Sequence, residues 1–270
     1  MQVAPIKAIY HFFFLLVLLT LSPSSFSNNL ESSAPIRLAT AESFFPYASF
    51  QKTRQWKGID YDIALAVFKA INVQFKPTAL PRTRITKMLK NKQIDGLLST
   101  SAYNEKLSLS KLWLSTPIYT SEVSVFSLKS RSLEIDNLSF LDAGKYHLGK
   151  LKEYSYKEEG LVISEQTRVL EVSRDKQLVE LLLAKRIDLA ISEDISFIYQ
   201  ARSLGYFDAI EPVFEISSSP VSIALTQSII EQHPELPNKI NRVIAHLLEN
   251  GFIDSVIIKY LSLDQFNYPK

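Results

Sequence analysis

Residues 92–100 read KQIDGLLST and residues 185–193 read KRIDLAISE, the same phrase written twice at a distance of 93 positions. In each copy a helical apolar spacing runs into a short apolar segment that ends in hydroxyl or acidic residues. A chain that repeats such a helix-to-strand junction is constrained to build two similar units.

Reading backwards from the first copy, Ile85, Met88 and Leu89 recur at helical spacing among Arg82, Arg84, Lys87 and Lys90, which predicts an amphipathic helix feeding the strand IDGLLS. GIDYDIALAVFKAI places Ile59, Ile63, Val67, Ala70 and Ile71 on one stripe, with Asp60 and Asp62 suited to the N-terminal cap and first turn. IRLAT (36–40) and VQFKPTAL (73–80) bracket it as strands. Around the second copy, KYHLGKL (145–151), a helix opening at YSYKEEGLVI, RVLEVS (168–173) and the helix DKQLVELLLAK repeat the order. Such alternation implies parallel strands with crossover helices, hence an α/β fold of two lobes, each a mostly parallel sheet flanked by helices.

YTSEVSVFSLKS (119–130) and SSSPVSIALTQ (217–227) are two candidate crossings between the lobes and make a two-strand hinge. PELPNKINRVIAHLLENGFIDSVIIKYL carries helical spacing with a break at Gly251 and is expected to pack back on the first lobe. The expected organisation is residues 1–27 as a signal, 28–121 and 225–270 as lobe 1, and 122–224 as lobe 2.

The signal reading rests on Lys7, the apolar run Phe12 to Leu21 and the small residues Ser25 and Ser27. That run is about ten residues, short of the roughly twenty a spanning helix needs. Export to the periplasm follows, with a mature start near Asn28. Loss of Lys7 moves the formal net charge from +2 to +1, so neither a nucleic-acid nor a membrane-surface partner has a basic stripe to bind. The chain has no cysteine, and the remaining length, about 240 residues, is enough to bury its own core without staples.

AGKYHLGKL contains G-x-x-x-x-G-K, but Leu151 stands where a magnesium-binding hydroxyl belongs and Gly149-Lys150 falls inside a strand, against nucleotide binding. His11, His147, His233 and His246 show no metal-ligand spacing, and no nucleophile motif of the common hydrolases occurs. No metal, cofactor or enzymatic activity is expected. What remains lies at predicted strand ends: ESFFPY (42–47), PRTR (81–84), STSAYNEK (99–106), EYSY (153–156) and SED (192–194). In open parallel sheets ligands gather there. Hydroxyls, helix-start amides, an arginine, aromatic faces and a carboxylate together suit a small zwitterion.

With these residues the chain resembles the extracellular solute-binding proteins of family 3, over about residues 35–265. IRLAT followed by FFPYASF is similar to the family's P-P-F-x-F, KGIDYDIALAV to G-F-D-V-D-L-A-x-A, STPIY (115–119) to F-S-x-P-Y-Y, and NGFIDSVIIKYL to G-x-x-x-x-I-x-x-K-Y. The resemblance implies a two-lobe periplasmic-binding-protein-like fold of type II that closes on a small polar solute, an amino acid or derivative, and serves the permease of an ABC importer as a monomer. It implies an aromatic wall of Phe44 and Tyr47, contacts from Ser99, Thr100 and Ser101, a helix-start hydroxyl at Ser155 beside Tyr154, and an ammonium-binding acid at Glu193 beside Asp194. PRTRI singles out Arg84. Lys106 stands where the family's carboxylate-clamping Arg is usual, a point charge in place of a planar fork, and Ala41 and Glu153 replace an acid and a Gly. The same fold implies two alternatives: a dehydratase acting on cyclic dienyl acids, with Glu193 as general acid, and a ligand sensor for a membrane partner.

Overall fold

The computed structural model describes residues 34–42, 45–101, 112–135, 144–152, 154, 161 and 163–262. Three strands of the first unit, β1 (Ile36–Ala41), β4 (Phe75–Leu80) and β5 (Gly96–Ser101), run parallel in the order β4-β1-β5. Helices α1 (Ile59–Ala70) and α2 (Arg82–Lys90) are their crossovers. The short strands β2 (Ser49–Phe50) and β3 (Trp56–Lys57) pair as a hairpin apart from the main sheet.

The second unit repeats the plan with β8 (His147–Leu151), β9 (Arg168–Val172) and β10 (Leu189–Glu193), parallel in the order β10-β8-β9. Helix α3 (Asp175–Leu183) crosses from β9 to β10, and α4 (Asp194–Ser203) follows β10 directly. The helix opening expected at YSYKEEGLVI lies largely outside the described residues.

Both expected crossings are strands. Strand β7 (Tyr119–Leu128) and the 17-residue β11 (Ile210–Thr226) pair antiparallel, and β6 (Leu112–Leu114) adds to β11. The ladder therefore runs without interruption as β4-β1-β5-β11-β7-β10-β8-β9. Strand β11 serves both arms because its register shifts at Pro212/Phe214, Glu215/Ser217 and Ser222/Ala224, bulges that bend and twist it along its length.

Each arm has its own apolar filling. Leu38, Ile63, Phe68 and Leu98 pack with Ile240 and Ile244 of α6 (Leu236–Glu249) and Val256 and Tyr260 of α7 (Phe252–Leu261), so the C-terminal helices cover the first arm. A short α5 (Gln227–Gln232) leads into them. Phe126, Leu178, Leu182, Ile187 and Phe197 form a second cluster, with Phe126 stacked on Phe197 at 4.1 Å. On α1 the buried stripe is Ile59, Ile63, Ala64, Val67 and Phe68; Ala70, expected on that stripe, is exposed.

The repeated phrase does the same structural work in both arms. Lys92 and Lys185 adopt left-handed φ of 55° and 54° and end the preceding helices. Lys92 and Gln93 donate their amides to Leu89 and Met88 carbonyls, and Lys185 and Arg186 do the same to Leu182 and Leu181, a Schellman closure in both copies. Ile94 and Ile187 are buried. Asp95 then clasps the start of β1: its Oδ2 accepts the Arg37 amide at 2.8 Å while its own amide donates to the Arg37 carbonyl at 2.8 Å. Asp188 clasps β8 identically, through the His147 amide at 2.7 Å and the His147 carbonyl at 2.8 Å. The guanidinium of Arg37 pairs with Asp95 at 2.7 Å, and Arg131 pairs with Asp188. The shared aspartate thus fixes the register of parallel neighbours in each arm.

Candidate functional site

The phrase ends in Ser99-Thr100 and Ser192-Glu193, and both serines donate to an aspartate at a helix start, Asp60 buried and Asp175 half-buried. Ser99 bonds Asp60 in the first turn of α1, and Ser192 bonds Asp175 at the start of α3, where Ser196 adds a second bond of 2.6 Å. Asp60 was expected as a helix cap. It makes no capping bond; Gly58 occupies that position, with φ 137°, and the α1 amides of Ile59 and Asp60 donate instead to the Pro46 and Tyr47 carbonyls at 2.9 and 2.8 Å. This frees the Asp60 side chain to turn inward, fully buried.

There it accepts a second hydrogen bond, 2.7 Å from the Tyr119 hydroxyl at the start of β7. The Tyr119 ring is stacked on Tyr47, with centroids 6.5 Å apart and planes 11° from parallel. On the other arm Glu193, at the end of β10, accepts a hydrogen bond from Ser121 of β7. Strand β7 therefore presents Tyr119 to the acid of the first arm and Ser121 to the acid of the second.

Burial raises the pKa of Asp60 to about 6, against the opposing hydrogen bonds from Ser99 and Tyr119. Tyr47 is pushed well above its ordinary value by burial, then by the negative charge of Glu193 and by Tyr119 and Asp60. Tyr119 is pushed well up by burial and by Asp60, with Glu193 adding less. Both phenols stay protonated donors, and each lies in the field of both carboxylates. The array is acidic and hydroxyl-rich, fitted to hold positive charge and donor groups.

Of the residues singled out in the sequence, Tyr47, Ser99 and Glu193 belong to this array. Thr100 is buried beside it on β5, opposite Ser222 of β11. Asp194, the first residue of α4, is half-buried, and its pKa is raised to about 6 by burial and by Glu122 and Glu215, against a hydrogen bond from Ser124. Arg84 is exposed in the first turn of α2, and Tyr154 packs against the cluster around Val125 and Leu148. Phe44, Lys106 and Ser155, and the side chain of Ser101, lie outside the described residues. Sequence reasoning missed Asp60, Tyr119 and Ser121. Asp60 and Tyr119 stood in KGIDYD and STPIY, where a charge after Gly and a tyrosine after Pro were the available signals.

Among the described residues no group of three or more His, Asp or Glu side chains is placed to hold a metal ion, and no helix is long and apolar enough to cross a membrane.

No curated protein matches the chain. Among solved structures, an ancestral cationic amino acid solute-binding protein (AncCDT-1) superposes with a TM-score of 0.69 at 17% identity, over 84% of this chain and 95% of that one. A further structure of AncCDT-1 describes it as a precursor of cyclohexadienyl dehydratase. Substrate-binding domain 2 of Lactococcus lactis GlnP, in open conformation, gives 0.63 at 19% identity over 85% and 96%. A histidine kinase sensor domain similar to periplasmic binding proteins gives 0.62 at 15% identity over 86% and 97%. At these identities the likeness is one of fold, and it is the periplasmic-binding-protein fold expected from the sequence. The model of one family spans residues 36–262, nearly everything the structure describes, and the chain belongs to that family, the bacterial extracellular solute-binding proteins, family 3.

Proposed function

We propose that the protein captures a small polar solute, an amino acid or a derivative, between two lobes in the periplasm and delivers it as a monomer to the permease of an ABC importer. Lobe 1 comprises residues 28–121 and 225–270, lobe 2 residues 122–224, and residues 1–27 direct export. The observation that carries the reading is the convergence of Tyr47, Asp60 and Tyr119 with Glu193, acids from opposite arms acting on one pair of stacked phenols. A solute that contacts both arms is bound only when they close, so its binding shifts the equilibrium toward closure. Glu193 receives the ammonium or guanidinium end; Thr100, Ser101 and Lys106 receive the carboxylate end, while the Ser99 hydroxyl holds Asp60. The amino acid named for the ancestral protein is of the cationic class, which suits this acidic array.

The test is a thermal-shift screen of the mature protein against amino acids, opines, polyamines and small organic acids, together with mass spectrometry of whatever copurifies. A cationic or zwitterionic class is expected to raise the unfolding temperature, and Glu193→Gln to abolish that rise. No stabilisation by any class overturns the reading.

A second reading is elimination from a cyclic dienyl acid with Glu193 as general acid, at the end of β10 where Ser121 already bonds it. Turnover of prephenate or arogenate, lost in Glu193→Gln, distinguishes the two.

A further inference from the structure

The hairpin β2–β3 opens an aromatic ladder on the outer face of the first arm. Phe50, 54% exposed, lies 5.6 Å from Trp56. Trp56 stacks on Tyr61 of α1 at 6.1 Å and 26°, and Tyr61 reaches Phe75 at 6.0 Å. Beside the ladder is a groove of about 690 Å³ whose walls include Arg54, Trp56, Tyr61 and Leu65, with Tyr260 at its base. It shares no residue with the acidic array of the cleft.

The charge of this face is one-sided. The hairpin segment QKTRQWK holds Lys52, Arg54 and Lys57 and no acid. Within the groove Asp62 is engaged by Lys259 at 2.8 Å and by the Tyr260 hydroxyl at 2.9 Å, so it is not a partner of Arg54. Arg54 sits at the turn with a left-handed φ of 60°, exposed, and without an ion-pair partner among the described residues. Leu65, on the solvent side of α1, is 43% exposed. A chain of near-zero net charge has thus gathered basic groups around a row of aromatic rings, with Trp, Tyr and Arg the types that dominate binding hot spots.

We propose that this groove docks an acidic segment of a partner protein, a carboxylate meeting Arg54 and an apolar side chain lying between Trp56 and Leu65. A free phosphate or carboxylate is too small to engage the aromatic wall and the cations together. A bilayer requires a convex apolar surface, whereas this one is concave with an ion pair in its floor. The reading is independent of the solute in the cleft.

The experiment uses the full mature chain carrying Trp113→Phe, which leaves Trp56 as its one tryptophan. The probe is a short synthetic peptide of glutamates flanking one phenylalanine and one leucine. A saturable change in Trp56 emission is expected, weakening steeply with salt. Arg54→Glu and Leu65→Ala, each checked for an unaltered unfolding temperature, are expected to weaken binding about tenfold, one by charge and one by apolar contact. The absence of saturable binding overturns the proposal, as does an equal response to a peptide with lysines in place of the glutamates. Competition by inorganic phosphate alone reassigns the groove to a free anion, and binding to phosphatidylglycerol vesicles but not to the peptide reassigns it to a membrane; either result overturns the proposal.

Discussion

The Tyr119 hydroxyl donates to Asp60 Oδ1 at 2.7 Å, a bond between the first residue of a strand that spans both arms and the first turn of a helix in one of them. Removing it in Tyr119→Phe leaves Asp60 with Ser99 as its hydroxyl donor. A hydrogen bond to a buried charge is worth about 1.5–3 kcal/mol and one to a neutral carboxyl about 0.5–1.5 kcal/mol. The variant is therefore expected to be destabilised at pH 8 by about 1 kcal/mol more than at pH 4. Urea unfolding at the two pH values measures the difference, and an equal loss at both would mean that Asp60 is not the group affected.

Asp60 itself should impose a pH dependence on stability. Its pKa rises from 3.8 in the unfolded chain to about 6 in the folded one, because burial penalises the charged form. The folded state thus holds a proton the unfolded chain releases, so the contribution is complete below pH 3.8 and is lost as pH rises to about 6 and beyond. Asp60→Asn keeps the shape and deletes the titration. Relative to the parent, the variant should gain about 2–3 kcal/mol between pH 4 and pH 8. Asp194, raised in the same direction by burial, continues to contribute a slope of the same sign in both proteins. Parallel unfolding curves of variant and parent across that range would contradict the assignment.

The strand-helix alternation was legible because the apolar period changes from 3.6 to 2 at each junction, and the repeat marked both polar strand ends, Ser99-Thr100 and Ser192-Glu193. Local pattern could not assign Asp60, however. An acid two residues into a helix fits a dipole argument whether its side chain turns out to solvent or inward, and only the approach of Tyr119 and Ser99 from distant elements decides it. Tyr119 and Ser121 were hidden for the same reason: alternation along β7 says which residues share a face, not that two of them meet acids from opposite arms. The aspartates of the repeat, Asp95 and Asp188, were given no role by local pattern, and they are clasps for β1 and β8.

Gly58 seats Tyr47 and Asp60 against each other on the first arm. Its φ of 137° is a region that L side chains rarely adopt, and a Cβ there would lie 2.2 Å from the Tyr47 carbonyl oxygen, the acceptor of the Asp60 amide. Its own amide donates to the Tyr260 hydroxyl at 2.8 Å. Gly58→Ala must push the Tyr47 backbone away, so a loss of more than about 3 kcal/mol is expected. Denaturant unfolding checks the size of the loss. The fluorescence of the buried Tyr47–Tyr119 pair cannot be isolated in this tyrosine-rich chain, so near-ultraviolet circular dichroism is the measurement for its displacement. A substitution tolerated within about 0.5 kcal/mol would show that the turn relaxes freely.

The repeat also holds two places where stability is open to improvement. Lys92 and Lys185 close α2 and α3 from the left-handed region, at φ 55° and 54°, where a Cβ crowds the following carbonyl at a cost of about 1 kcal/mol. Both lysines are exposed, and glycine at this closure keeps the same amide bonds while removing the crowding. Its greater freedom in the unfolded chain offsets part of the gain. Lys92→Gly and Lys185→Gly are each expected to stabilise the protein by about 0.5 kcal/mol, and to add when combined because they sit in different arms without shared neighbours. Raised urea midpoints with an unchanged slope would establish the gain; a lowered midpoint for either would mean that the lysine stem covers apolar surface whose loss outweighs the relief.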